Sequence, residues 1–251
     1  MFRFARASKG IQRSSCRRVA VPRDAEAVCS EFDARFKSPS GVPMQRAITC
    51  LLFSLLFQLT TGMAAEISAQ ATRVAASIDA LDVERHWPAG VHVNWETGDP
   101  DGRPESGEGK HTHCSAFVAA AAKRLGIYIL RPPQHAQVLL ANAQYDWLAD
   151  EGPRQGWRAL RDGEAAQNAA NLGDFVVAVY KNRNDEKPGH IAIVRPSDKS
   201  VQSIRADGPQ ITQAGGKNYR STVLRIGFAG HPNAWNKSEV RYYAHAVARI
   251  P

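Results

Sequence analysis

Cysteine is scarce in this chain, with four residues among 251. So few cysteines exclude a small domain stapled by disulfide bonds, which needs them at much higher density. No apolar run reaches the length of about 20 residues that a transmembrane helix needs. The chain also lacks a phosphate-binding loop, a dinucleotide fingerprint and a haem motif, so nothing in it predicts a cofactor.

The first quarter of the chain differs in pattern from the rest. Residues 1–43 are rich in Arg, Ser and Pro and show no sustained hydrophobic period. At Met44 a short basic start is followed by the apolar run 47–59 and then by small residues. This succession predicts a secretory signal over residues 44–65. We expect Met44 to be the true start, or else residues 1–43 to be a disordered basic leader, and we expect residues 66–251 to be exported, periplasmic or secreted.

The net charge also differs between the first 65 residues and the rest of the chain. The whole chain has a formal net charge of +8, which by itself suggests a nucleic-acid partner. Residues 66–251 carry 22 basic and 20 acidic side chains, so the mature chain is nearly neutral. We therefore expect no nucleic-acid partner and no stable membrane span after signal cleavage. Its oligomeric state stays open.

Helical patterns precede strand patterns in the mature chain. Apolar residues recur at helical spacing over 66–82, 113–125 and 135–149. From Asp174 onward the period becomes two, and strands are expected over 174–180, 191–195, 201–206, 210–213, 222–228 and 239–249. This order predicts one α+β domain over 66–251, with N-terminal helices packed on an antiparallel sheet.

Cys114 is the only cysteine of the mature chain, and it begins a predicted helix for which Thr112 is the expected N-cap. Unsatisfied N–H groups and the helix dipole at such a position favour a thiolate, so a lowered pKa is expected for the thiol. The backbone N–H groups around Cys114 and Ser115 could also hold an oxyanion. The alternative is a buried thiol that acts only as a small apolar side chain.

A nucleophilic thiol needs a base, and His190 is the best-placed histidine for that role. It follows the turn Lys187-Pro188-Gly189 and opens a β-branched strand. A third residue should orient the imidazole from the next strand. A turn centred near Asp198 would put residue 206 opposite His190, so Asp207 is the expected third residue, with Gln210 and then Gln202 as alternatives. Asp207 could equally be an ordinary turn residue before Gly208.

Three short motifs resemble those of one enzyme family. The segment Thr112-His113-Cys114-Ser115-Ala116-Phe117-Val118 is similar to the helix-start cysteine motif of NlpC-type and CHAP cysteine peptidases. Gly173-Asp174-Phe175-Val176-Val177 resembles their Gly-Asp entry to the first strand, and Gly189-His190-Ile191-Ala192-Ile193-Val194 resembles their histidine strand. The resemblance covers about residues 107–207. It implies a papain-like α+β fold and hydrolysis of peptide or amide bonds, commonly in peptidoglycan.

Other residues are candidates for substrate contact or metal binding. Trp95, in the glycine-rich loop 95–113, and His113 are expected on the substrate side, as is Gln210 where it does not orient His190. His111, His113 and Cys114 offer three metal donors, but no second cluster accompanies them, so no metal is expected. The stretch Asp99-Pro100-Asp101-Gly102 lacks the later ligands of a calcium loop and is interpreted as a solvated turn.

We therefore expect an exported cysteine hydrolase in which Cys114 attacks an amide carbonyl and His190 transfers the proton. Its substrate would be peptidoglycan or a peptide. A non-catalytic peptidoglycan-binding module on the same fold is one alternative, with Cys114 inert. A thiol acyltransferase that uses the same acyl-enzyme is another, because only the acceptor differs.

Overall fold

A computed structural model describes residues 66–104 and 111–249. The predicted leader and signal segment, and part of the glycine-rich loop before Cys114, lie outside the described residues. Within the part described, no helix is both long enough and apolar enough to cross a membrane.

Seven helices and six strands make up the described part of the domain. The helices are α1 Ala69–Asp79, α2 Cys114–Arg124, α3 Leu140–Asp150, α4 Gly163–Leu172, α5 Val201–Asp207, α6 Leu224–Gly227 and α7 Pro232–Asn236. The strands are β1 Trp157–Leu160, β2 Phe175–Tyr180, β3 His190–Val194, β4 Gln210–Gln213, β5 Tyr219–Val223 and β6 Arg241–His245. A 3₁₀ turn, Gly152–Gln155, joins α3 to β1.

The six strands form one antiparallel sheet in the order β1-β6-β2-β3-β4-β5. The run from β2 to β5 follows the chain, and β6 returns between β1 and β2. The predicted α+β class with an antiparallel sheet is thus confirmed. The sheet places Tyr180, at the end of β2, opposite His190, the first residue of β3.

Both faces of the central strands are covered, because alternate residues of β2 and β3 enter two different cores. On one face Val177, Val179, Ile191 and Ile193 pack with the buried residues of α2. On the other face Val176, Ala178, Ala192 and Val194 pack with α4 and with the buried Leu224 and Phe228. Every residue of β2 and β3 is consequently buried, which explains their nearly continuous apolar sequence.

Three helices begin at side-chain caps that the sequence supplies. Ser68, Asp162 and Ser200 each accept a hydrogen bond from the backbone N–H three residues further on. Helix α2 differs, because its N-cap is His113, which makes no side-chain cap bond. The prediction of Thr112 as N-cap is therefore wrong.

One predicted strand is helical instead, and a second is helical over most of its length. The sequence predicts a strand over residues 201–206. The structure has helix α5 there instead, because Ser200 caps its start and Ile204 is buried on its inner face. The strand expected over 222–228 stops at Val223, and α6 follows at once. In both segments, apolar residues three or four apart fit either period. The Ser200 cap selects the helix over 201–207. Helix α6 begins after Val223 without a side-chain cap, and its buried Leu224 packs in the core.

Candidate active site

Cys114 lies at the first residue of α2, with 4% of its surface exposed. The backbone N–H groups of Ile191 and Ser115 and the hydroxyl of Thr112 lie close enough to the sulfur to favour its thiolate form. The proximity of the Ile191 N–H places the thiol against the beginning of β3, one residue from His190. The start of the helix and the start of the strand therefore meet at the sulfur.

Backbone packing holds His190 at the start of β3. The preceding Gly189 has no room for a side chain, because a Cβ there would lie 2.1 Å from the carbonyl oxygen of Tyr180 and 2.5 Å from Oδ1 of Asn142. Asn142, on α3, donates from Nδ2 to the Lys187 carbonyl at 2.9 Å and accepts from the Asn182 N–H at 3.2 Å. One buried amide thus ties both ends of the β2–β3 loop to α3.

The imidazole of His190 is hydrogen-bonded to a glutamine. Nε2 of His190 lies 2.8 Å from Oε1 of Gln213, on the last residue of β4. Gln213 Nε2 donates to the Lys217 carbonyl at 3.2 Å, which keeps the amide oxygen towards the ring. Since Oε1 can only accept, His190 donates from Nε2, and its neutral form keeps Nδ1 as the basic nitrogen.

Two glycines leave the space that the Gln213 amide occupies. A Cβ at Gly215 would lie 2.9 Å from Nε2 of Gln213, and a Cβ at Gly227 would lie 2.6 Å from its Oε1. Real Cβ atoms do not approach so closely. The amide is therefore enclosed on two sides by backbone that carries no side chain.

The expected orienting residues lie elsewhere. Asp207 ends α5, and its carboxylate accepts a hydrogen bond from Nε of Arg225 at 2.8 Å. The side chain of Gln210 donates to Ser221 at 2.7 Å. The choice of these residues assumes that β3 and β4 are joined by a short turn near Asp198. That assumption is wrong, because α5 lies between the two strands, so β4 begins only at Gln210. Gln202 lies within the same helix.

Strand register explains why Gln213 meets His190. Ile193 pairs with Thr212, so one residue further along the ladder Ala192 stands opposite Gln213. Ala192 and His190 are two residues apart and share a face of the sheet. Gln213 is thus the diagonal neighbour of His190, within reach of a long side chain.

Burial controls the protonation of the thiol and the imidazole. It raises the pKa of the Cys114 thiol, against the opposing effect of the nearby donor groups of Ile191, Ser115 and Thr112. It also lowers the pKa of His190, against the opposing hydrogen bond to Gln213. The expectation of a lowered thiol pKa is therefore wrong, because loss of solvation outweighs the helix start. Near neutral pH both groups are uncharged.

The thiol borders a cavity of about 430 Å³, here called the Cys114 cavity. Its walls include the apolar side chains of Val138, Leu140 and Pro188, with Glu186 and His231 among its polar groups. Val138 is 64% exposed at its edge. A second, histidine-rich cavity of about 390 Å³ lies alongside and contains His92, His113 and His135. His111, Thr112, Gln137 and Val138 line both cavities.

The predicted substrate contacts divide between these surfaces. Trp95 and His113 line the histidine-rich cavity. His113 is also held internally, because its Nε2 lies 2.8 Å from the Val91 carbonyl oxygen. Gln210 lines neither cavity. Ser115 lines the Cys114 cavity, and its carbonyl accepts a hydrogen bond from the buried amide of Gln144 at 3.2 Å, which anchors the first turn of α2.

The donors considered for metals do not converge. Within residues 66–104 and 111–249, no three His, Cys, Asp or Glu side chains group as a metal site. His113 and Cys114 have the separate partners described above. Asp99 is hydrogen-bonded to His86, whereas Asp101 is bonded to His92 and Arg103. The two carboxylates of the Asp99–Asp101 turn therefore serve different neighbours.

His231 has no distinguishing signal in the sequence, yet its ring lies in contact with that of His190. The two ring centres are 5.4 Å apart and the planes are 18° from parallel. The ring of Phe228 lies nearly perpendicular to the same imidazole, with the two ring centres 4.6 Å apart. Burial and the neighbouring His190 lower the pKa of His231 to about 4.

Comparison of the chain with models of known protein families gives no match, and comparison with curated proteins gives none either.

Proposed function

We propose that this chain is a thiol hydrolase that cleaves amide or peptide bonds through a covalent acyl-enzyme. One observation carries the proposal: the Cys114 sulfur, at a helix start, lies beside the first residues of a strand on which His190 is oriented by Gln213. Nucleophile, base and orienting group are the three parts that such catalysis needs. The inert-thiol alternative does not account for a buried histidine–glutamine pair whose histidine begins the strand whose second residue, Ile191, lies near the sulfur.

The proposal extends to a papain-like fold of the NlpC or CHAP type. In support, a buried helix begins at the cysteine and packs on an antiparallel sheet that carries the histidine. The order Cys114, Gly173-Asp174, His190 along the chain also matches the motif order of that family.

Acylation begins with attack of the Cys114 sulfur on the carbonyl carbon. Because the thiol is neutral, its proton passes to Nδ1 of His190 as the S–C bond forms. Gln213 accepts the hydrogen bond from Nε2 throughout and stabilises the imidazolium. N–H groups of the first turn of α2, around Cys114 and Ser115, receive the negative oxygen.

Collapse of the tetrahedral intermediate breaks the C–N bond, and the amine leaves with the proton from His190. Water then reaches the thioester. His190 takes a proton from this water as the water oxygen attacks the acyl carbon. The C–S bond then breaks, and the His190 imidazolium returns its proton to the departing sulfur. The products are the restored Cys114 thiol and a carboxylic acid, which loses its proton to solvent.

We propose a peptide of the bacterial cell wall as the substrate and the periplasm or the exterior as the place of action. The predicted signal over 44–65 and the family resemblance support this choice. Two cavities that share the walls formed by Thr112 and Val138 offer space for substrate residues on both sides of the scissile bond.

Digestion of purified peptidoglycan by the full chain tests the proposal, with released fragments identified by mass. Wild type should release fragments, and Cys114→Ala and His190→Ala should release almost none. His245→Ala is the matched control, since His245 lies at the other end of the sheet against Trp157. Equal release by wild type and Cys114→Ala would remove the thiol from the mechanism.

Two other outcomes would redirect the proposal. Sedimentation of the protein with the wall, without release of fragments, would favour a binding module. Transfer of the acyl group to an added amine, in place of hydrolysis, would favour an acyltransferase.

A further inference from the structure

One short segment, Gly227–His231, contacts both members of the His190–Gln213 pair. Gly227 lies against the amide of Gln213. The ring of Phe228 lies nearly perpendicular to the imidazole of His190, and the ring of His231 is stacked nearly parallel to the same imidazole. The hydrogen bond between His190 and Gln213 is therefore enclosed by a segment that belongs to neither strand.

The segment is anchored by its own backbone and by burial. The Phe228 N–H donates to the Leu224 carbonyl at 2.9 Å, and the His231 N–H donates to the Phe228 carbonyl at 2.8 Å. Leu224 and Phe228 are fully buried in the core on that face of the sheet. Contacts other than those with His190 therefore also hold the Phe228 and His231 rings in position.

We propose that His231 is a positioning residue for His190: stacking of its ring fixes the plane in which Nδ1 of His190 serves the Cys114 thiol. The inference rests on the proposed function. The ring torsion of a histidine is broad, and one hydrogen bond at Nε2 leaves the ring free to tilt about that bond. The nearly parallel ring of His231 and the nearly perpendicular ring of Phe228 remove this freedom.

His231 is also compatible with the positive charge that the neighbouring His190 acquires during each turnover. The groups near its ring are His190 on β3 and Tyr180 on β2, whose ring centre is 5.5 Å away, and Cys114 and Glu186 line the same cavity. Its own pKa of about 4 keeps it neutral near pH 7. An uncharged aromatic face does not repel the imidazolium that His190 forms, whereas a second cation would.

Three substitutions of one residue test the role of the ring. His231→Ala removes the stack, His231→Phe keeps a ring, and His231→Leu keeps apolar volume without a ring. We expect His231→Ala and His231→Leu to lower kcat for peptidoglycan about tenfold with KM changed less than about twofold, and His231→Phe to recover most of kcat. His245→Ala is the control and should match wild type. Equal recovery by Leu and Phe, or no loss in Ala, would overturn the inference.

Alkylation of Cys114 by iodoacetamide, located by peptide mass, provides a readout that does not depend on the substrate. Because the neutral His190 takes the thiol proton as the sulfur attacks, the alkylation rate near pH 7 should fall in His190→Ala and His231→Ala and return in His231→Phe. This order, together with a wild type that cleaves no peptidoglycan, would defeat the proposed function and leave the positioning role standing. Cleavage by wild type, with kcat and the alkylation rate both unchanged in His231→Ala, would support the proposed function and overturn the positioning role of His231. If His231→Ala unfolds at a lower temperature than wild type, the comparison of His231→Phe with His231→Leu still tests the role of the ring.

Discussion

Gln213 accepts the Nε2 hydrogen bond of His190 at 2.8 Å, although the two residues stand on neighbouring strands and are not directly opposite each other. The contact depends on the diagonal placement that the β3–β4 register creates. Gln210 lies on the same strand and has the same side chain, but it bonds to Ser221. This pair of glutamines offers a matched comparison.

Gln213→Ala should lower the rate of peptidoglycan cleavage, because His190 would lose the partner that fixes its tautomer and stabilises its charged form. A buried hydrogen bond of this kind corresponds to a loss of about tenfold to hundredfold in kcat. Gln210→Ala should stay within about twofold of wild type. The measurement is the initial rate of fragment release by all three proteins. Equal rates for Gln213→Ala and Gln210→Ala would show that the hydrogen bond from His190 to Gln213 has no special role in cleavage.

Gly227→Ala should destabilise the domain and also impair cleavage. The added Cβ would lie 2.4 Å from Cδ1 of Ile211 and 2.6 Å from Oε1 of Gln213, so the Gln213 amide or the strand must move. Overpacking of this kind costs about 1–3 kcal/mol in free energy of unfolding. Gly230→Ala is the control, since no atom lies within 4 Å of the position that its Cβ would take. Urea unfolding and fragment release measure the two effects, and a fully active Gly227→Ala would contradict the crowding argument.

The alkylation rate of Cys114 should still be rising at pH 9. Burial raises the pKa of this thiol above its usual 9.0, so the thiolate fraction stays small through the neutral range and grows with pH. The lowered pKa of His190 acts in the same sense, because a neutral imidazole cannot stabilise a resting thiolate. Iodoacetamide kinetics across pH, with the urea-unfolded chain as reference, measure this. A rate that is flat from acid to neutral pH would indicate a resting thiolate–imidazolium pair and contradict the assignment.

Local signals in the sequence predicted the placement of two residues of the candidate site. Helical periodicity after His113 locates a helix start at Cys114, and the Pro188-Gly189 turn locates a strand start at His190. Both depend only on neighbouring residues. The α+β class followed in the same way, from the order of the two periods.

The residues around His190 could not be predicted by such means. Gln213 meets His190 only because α5 occupies the β3–β4 connection and shifts the register, and the cap at Ser200 that starts α5 competes with an equally plausible strand pattern. His231 reaches the site through the packing of Leu224 and Phe228 in the core, which no local pattern encodes. Similarly, the burial that raises the thiol pKa arises from the sheet packed against α2, not from the helix start itself.

The proposed mechanism requires Cys114 to carry the acyl group during turnover. The most direct measurement is the mass of the peptide containing Cys114 after acid quenching of the full chain in the presence of peptidoglycan. Wild type should carry a thioester adduct on Cys114 whose mass equals that of a wall-peptide acyl group, and His190→Ala should carry none. Continued cleavage with the adduct on another residue, or cleavage by Cys114→Ala at the wild-type rate, would contradict the assignment of Cys114 as the nucleophile.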